Sequence, residues 1–297
     1  MKKMAAVLAG ALLLIQPTAA ECLVTGEAYG VGAAAAIIME AESGEVLFAQ
    51  EIHRQLPMAS TTKIMTAWLT LEQPDLWREF TVDDDAIRVE GSSMGLQAGD
   101  TVTLYALAAG MLLASGNDAA GAAAVGISGS VAAFAGEMNR RAAMLGMNNT
   151  HYVNACGLDA PGHVSSARDV AILSREMLTK HPDITEYTTI WTDSLRGGQT
   201  KLVNTNKLLR RYAGTNGLKT GTTSGAGVCI TVSASRDGLD LIAVVLGAAD
   251  SAQRFAAAKA LLDYGFANFE NGQIEKSENA PESLPAVSYT HLRAHET

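Results

Sequence analysis

Ser60-Thr61-Thr62-Lys63 governs the reading of this 297-residue chain, once Ser115-Gly116-Asn117 and Lys219-Thr220-Gly221-Thr222 are set beside it. Each string is weak alone. Serine and lysine are common enough that ~1 chance S-x-x-K is expected in a chain of this length, and a chance K-T-G in well under ~1 chain in 10. Order and context carry the weight. A serine and a lysine stand one helical turn apart, a polar S-x-N follows, and K-T-G enters an apolar strand. A serine hydroxyl is a poor nucleophile and needs a nearby base. Residues i and i+3 of a helix share a face about 5–6 Å apart, so Lys63 can reach the Ser60 hydroxyl. To accept a proton at neutral pH, Lys63 must be partly neutral. That requires burial or a neighbouring positive charge, which Lys219 can supply. Read by itself, Ser60 is a helix N-cap, beside the free N–H groups of a helix start.

Outward from these strings, residues 33–40 and 45–50 are short strand-like runs joined at Ser43-Gly44, a hairpin signal. Ser60 opens a helix, with Lys63, Ile64, Ala67 and Trp68 at helical spacing. Residues 102–114 form a buried helix, and 130–145 a second one stopped at Gly146. Ser166 to Asp169 reads as a capping box that opens a third helix to about Thr179. Residues 219–235 and 239–247 are apolar runs joined at Asp237-Gly238, a two-residue hairpin signal. Residues 251–268 form a closing helix. Strands at both ends with helices between imply one antiparallel sheet built from both ends of the chain and flanked by helices, an α/β (α+β) arrangement.

The chain resembles the serine-type D-alanyl-D-alanine carboxypeptidases, the low-molecular-mass penicillin-binding proteins. The three strings are their motif set, shared with class A β-lactamases. Residues 89–100 (VEGSSMGLQAGD), 115–120 (SGNDAA), 157–169 (GLDAPGHVSSARD), 202–211 (LVNTNKLLRR) and 217–227 (GLKTGTTSGAG) resemble that family in its order. The resemblance implies the serine β-lactamase/transpeptidase fold. It also implies removal of the terminal D-Ala of peptidoglycan stem peptides through an acyl-enzyme on Ser60, with penicillin as a covalent inhibitor. Lys63 is then the base, and Ser115 relays a proton to the leaving amine. Asn117 binds the substrate backbone, and the N–H groups of Ser60 and Thr222 form the oxyanion hole. Lys219 and Thr220 can bind a carboxylate by charge and hydroxyl, and Gly221 allows close approach to the strand backbone. Arg254 resembles a family arginine near the carboxylate, against a plain reading as a helix-surface residue. Asp169 matches a recurrent aspartate and reads as structural.

Two other functions compete with this one. A class A-like β-lactamase would carry Ser-Asp-Asn and a deacylating glutamate. Here Gly116 replaces the aspartate, and residues 157–181 offer only Glu176, inside a helix. A non-catalytic penicillin-binding module would usually show degraded motifs, and these are intact. Gly91 to Gly95 matches G-x-S-x-G, but turn sequence follows it where a nucleophile elbow needs a helix. His53, His151, His163 and His181 are scattered, read as surface or structural residues, and suggest neither metal nor cofactor.

A formal charge of −9 argues against nucleic acid as a partner. Residues 1–20 read as a signal peptide: Lys2 and Lys3, a short apolar run, then small residues before cleavage after Ala20. The expected location is therefore outside the cytoplasmic membrane, in the cell envelope. Three cysteines have no metal spacing, and Cys156 and Cys229 read as packing residues rather than a disulfide. The expected catalytic domain is 21–270. Residues 271–287 read as a linker or the start of a truncated C-terminal β domain. Residues 288–297 read as a non-native tail. Family members often carry a membrane anchor at a C-terminus beyond such a point, so membrane-surface attachment through it is a further expectation.

Overall fold

A computed structural model describes residues 31–195, 198, 200–272 and 291–292. The expected signal peptide, Cys22 and most of the C-terminal tail lie outside the described residues. The chain opens with β1 (Ala35–Glu40) and β2 (Val46–Gln50), paired antiparallel. A 3-10 turn, Ala59–Thr62, leads into α1 (Lys63–Leu71). The short pair β3 (Glu79–Thr81) and β4 (Thr101–Thr103) brackets α2 (Asp84–Ile87). Then come α3 (Leu104–Leu113), α4 (Asn117–Ser128), α5 (Val131–Met144), α6 (Ala167–Lys180) and α7 (Ile184–Thr188). A hairpin of β5 (Thr192–Leu195) and β6 (Thr200–Val203) precedes β7 (Thr215–Thr223), β8 (Gly227–Arg236), β9 (Leu239–Ala248) and α8 (Ser251–Asn268). Asn271–Gly272 pairs with His291–Leu292 in a two-residue ladder.

The main sheet has the order β2-β1-β9-β8-β7, all antiparallel. The first strands of the chain thus pair with the last, as the two terminal apolar runs imply. Its centre is buried on both faces, so β1 and β9 read as continuous apolar runs rather than alternating ones. Ala36, Ile38, Leu241, Ala243 and Val245 face Leu261 and Leu262 of α8. Ile37, Met39, Ile242, Val244 and Leu246 face Val170 and Ala171 of α6. A third core fills the helical lobe, where Trp68, Leu107, Met111, Ala123, Phe134 and Leu173 meet. Every residue of α1 is buried, and its polar stripe of Lys63, Thr66 and Thr70 is satisfied by protein partners rather than by water.

Three expectations need correction. Ser60 does not cap α1, which begins only at Lys63; it lies in the preceding 3-10 turn, and no side-chain cap is made there. The run 219–235 is two strands, broken by a turn at residues 224–226. A helix was missed between those expected at 102–114 and 130–145: α4 is rich in alanine and glycine and lacks the apolar–polar contrast that marks a face. Its small residues allow a close crossing, since a Cβ on Gly121 would lie 2.1 Å from the Ala86 carbonyl oxygen. Among the described residues, no single helix is long and apolar enough to cross a membrane.

Candidate active site

The 3-10 turn holds Ser60 between two backbone surfaces. A Cβ on Gly157 would lie 2.0 Å from the Ala59 oxygen, and a Cβ on Gly221 would lie 2.6 Å from the Ser60 nitrogen. Both positions therefore require glycine. Gly221 is needed for packing of β7 against the turn, a role that the sequence reading assigned to substrate approach alone. Ala59 has φ 48° and Ser115 has φ 62°, left-handed values that residues with a Cβ rarely adopt. Each costs of order 1–3 kcal/mol and persists only where surrounding structure enforces it. One immediately precedes Ser60; the other sits in the short turn between α3 and α4.

Lys63 is fully buried and has three partners. Its Nζ lies 2.9 Å from Ser60 Oγ, 2.6 Å from Asn117 Oδ1 and 2.7 Å from the Cys156 carbonyl oxygen. The Asn117 amide is oriented by its other end, where Nδ2 donates to the Glu90 carbonyl at 2.6 Å. Two of the three partners can only accept. The Ser60 hydroxyl alone can also donate. A protonated Lys63 donates to all three. A neutral Lys63 keeps two N–H groups on the carbonyl oxygens and turns its lone pair to the Ser60 O–H. Loss of one proton therefore needs no movement of heavy atoms. Burial lowers the Lys63 pKa to about 8, while Cys156 and Asp118 pull it the other way.

Lys219 is also buried, and its Nζ donates to the Thr220 carbonyl at 2.8 Å. Burial first, then the charges of Lys63 and Arg254, push its pKa well below the usual lysine value. The ion pairs among the described residues involve other side chains, so the three buried cations share a region without a bound carboxylate of the protein's own. Thr220 donates from Oγ1 to Thr205 Oγ1 at 2.6 Å, and Thr222, exposed, donates from its hydroxyl to the Gly221 carbonyl. Arg254 is buried rather than on the helix surface. One of its terminal nitrogens donates to the carbonyls of Gly221 and Cys229, both at 3.3 Å, and the other to Ser251 Oγ at 3.1 Å. It braces β7 and β8 from behind. Ser115 is buried two residues before Asn117.

Several contributors had no local signal in the sequence. The Cys156 carbonyl is a backbone group, and it is aimed by Asn154, whose Oδ1 accepts from the N–H of Cys156 at 3.2 Å and of Gly157 at 2.7 Å. Asp118 is buried and gathers the G-x-S-x-G look-alike: its carboxylate accepts from the Ser93 hydroxyl and from the N–H groups of Met94, Gly95 and Leu96. Ser93 is thereby a turn former. Asp169 is structural, accepting from the Asn149 N–H and the Thr150 hydroxyl. Cys156 and Cys229 are both buried and free.

The chain matches the family described as D-alanyl-D-alanine carboxypeptidase over residues 23–250. It is 38% identical over 252 residues to D-alanyl-D-alanine carboxypeptidase DacF of Bacillus subtilis, covering 82% of this chain and 64% of that protein. It is 38% identical over 271 residues to DacC of Escherichia coli, covering 87% and 67%. The chain thus spans about two thirds of the length of these curated relatives. Among solved structures, it superimposes on penicillin-binding protein D2 of Listeria monocytogenes in the ampicillin-bound form with a TM-score of 0.73 and 34% identity, over 80% of this chain and 98% of that one. Penicillin binding protein 6B of Escherichia coli gives a TM-score of 0.77 and 35% identity, over 82% and 80%. The mixed fold of helices on an antiparallel sheet is that of the penicillin-binding proteins and DD-peptidases.

Proposed function

The chain belongs to the D-alanyl-D-alanine carboxypeptidase family, and on that premise we propose that it removes the terminal D-Ala from peptidoglycan stem peptides ending in D-Ala-D-Ala. The observation that carries the reading is the hydrogen-bond set of Lys63, a buried amine whose one partner able to give up a proton is the Ser60 hydroxyl. Ser60 Oγ attacks the carbonyl carbon of the last peptide bond while Lys63 takes its proton. The N–H groups of Ser60 and Thr222 stabilise the oxyanion, each such donor being typically worth a few kcal/mol in the transition state. The substrate carboxylate pairs with Lys219 and the Thr220 hydroxyl, in the field of Arg254. The proton taken by Lys63 passes through the Ser115 hydroxyl to the leaving amine, the C–N bond breaks, D-Ala departs, and Lys63 is neutral again. Water then attacks the Ser60 ester with Lys63 again as base, restoring the serine and releasing the shortened peptide.

A β-lactam follows the first half of this path. Its amine leaving group stays attached through the opened ring, and the Ser60 ester persists. The ampicillin-bound form of the Listeria relative supports covalent capture of this kind. Export to the cell envelope is part of the same reading, supported by the basic start and apolar run of residues 1–20.

Incubation with labelled penicillin tests the proposal. A long-lived adduct is expected, together with release of D-Ala from a D-Ala-D-Ala peptide. Fast turnover would indicate a β-lactamase, and no adduct a silent module. Ser60→Ala is expected to abolish both labelling and hydrolysis. Labelling that survives in this variant would remove Ser60 as the nucleophile.

A further inference from the structure

We propose that His163, neutral and protonated on Nε2, is a positioning residue that fastens the segment carrying the Cys156 carbonyl to the catalytic turn. The inference rests on the reading of Ser60 and Lys63 as nucleophile and base, and it concerns a residue that touches neither substrate nor reacting atoms.

The ring is buried, and both nitrogens are engaged. The Val153 N–H donates to Nδ1 at 2.9 Å. A backbone N–H cannot accept, so Nδ1 carries no proton. Nε2 therefore holds the proton and donates to Thr62 Oγ1 at 2.9 Å. Thr62 directly precedes Lys63 and is itself fully buried. One ring thus joins the 3-10 turn to residues 153–163.

That segment meets the site at three further points. Asn154 aims the Cys156 carbonyl at Lys63 Nζ. Gly157 packs on Ala59. Asp159 accepts from the Thr223 hydroxyl at 2.6 Å and the Gly225 N–H at 2.8 Å, at the turn between β7 and β8. Two side chains of α1 also reach the segment, Lys63 at the Cys156 carbonyl and Thr66 at the Ala155 carbonyl, and the His163–Thr62 contact is the side-chain bond that ties it to the 3-10 turn itself. On the proposal, its loss lets the Cys156 carbonyl drift in register on Lys63 even though Thr66 still holds Ala155. The groups facing His163 suit a neutral ring. Tyr152 lies edge-on with centroids 5.9 Å apart, and burial, followed by His151 and against Asp159, lowers the imidazole pKa to about 4. A protonated ring would point an Nδ1–H at the Val153 N–H, donor against donor.

The test combines nitrogen-detected NMR of the imidazole with pre-steady-state acylation by a fluorescent penicillin. At neutral pH the His163 signals are expected to show the neutral Nε2–H tautomer; a charged ring or an Nδ1–H tautomer overturns the proposal. Acylation is then followed from about pH 5 to about pH 10 in wild type, His163→Phe, His163→Gln and Thr62→Val. His163→Phe and Thr62→Val are expected to stay folded by circular dichroism and to acylate about tenfold or more slowly, as small misplacements of a base do. Their alkaline limb should move up toward the lysine value as Lys63 loses enclosure. His163→Gln keeps one donor and one acceptor and is expected to recover to within roughly threefold of wild type. Folded variants with the wild-type rate and limb overturn the proposal. If His163→Phe does not fold, Thr62→Val decides, because it removes only the acceptor hydroxyl at nearly constant volume. Failure of the wild type to acylate at Ser60 would instead overturn the functional reading, while the tautomer result stands apart from it.

Discussion

In the proposed mechanism the chemistry turns on Lys63, and the environment of that residue fixes a sign. Burial lowers its pKa to about 8 from the usual lysine value, so the neutral amine gains population as pH rises through about 8. Acylation by penicillin is expected to climb along that limb in wild type. Lys63→Arg keeps the charge and loses the base, because arginine does not deprotonate in proteins, and acylation is expected to fall by about a hundredfold or more. A stopped-flow pH profile checks both; an active Lys63→Arg protein would remove general-base catalysis by this residue. At this scale much of the site was legible. Spacing alone placed Lys63 within reach of Ser60, and a lysine in that role demanded burial. What spacing could not show were partners offered by the main chain. The Cys156 carbonyl has no side-chain signature, and Asn154, which aims it, looks like any loop asparagine.

Elements add a second constraint, since a 3-10 turn, a loop and a strand converge on Ser60. The Cβ that alanine would add at Gly221 falls 2.6 Å from the Ser60 nitrogen, inside any normal contact. Gly221→Ala must therefore push β7 away from the turn or shift the turn itself. Backbone displacement of this kind typically costs about 1–3 kcal/mol. The expected outcome is a melting temperature lowered by a few degrees and a penicillin acylation rate reduced by about a hundredfold, since the proposed oxyanion donors, the N–H groups of Ser60 and Thr222, lie on both sides of that contact. Calorimetry and acylation kinetics on one sample decide it; a variant with unchanged acylation would show that β7 does not set the geometry around Ser60. The strands and α8 were readable because apolar runs and Asp237-Gly238 mark them plainly. The turn at residues 224–226 was not, because β7 and β8 are both buried and their apolar pattern runs on through it. For α4, alanine and glycine erased the amphipathic contrast.

Over the whole molecule, the first strands and the last helix close on one sheet. α8 covers its face and ends at Asn268, and the side chain of Asn271 reaches the Gly238 carbonyl at the turn between β8 and β9. Beyond that point the described contacts amount to the two-residue ladder with His291–Leu292, too small to add much stability by itself. Removal of residues 273–297 is therefore expected to leave a soluble protein that binds penicillin and melts within about 3 °C of the full chain. A deletion product that unfolds would place essential packing in that segment. The convergence on Ser60 has one more consequence. Its neighbours Gly157 and Gly221 are distant in the chain, and contacts of such long sequence separation form late and slowly. Neither the turn nor the strand has a competent serine before they meet. Covalent capture of penicillin during refolding thus reports completion of the native topology, and labelling should lag behind the recovery of helical signal in the same sample.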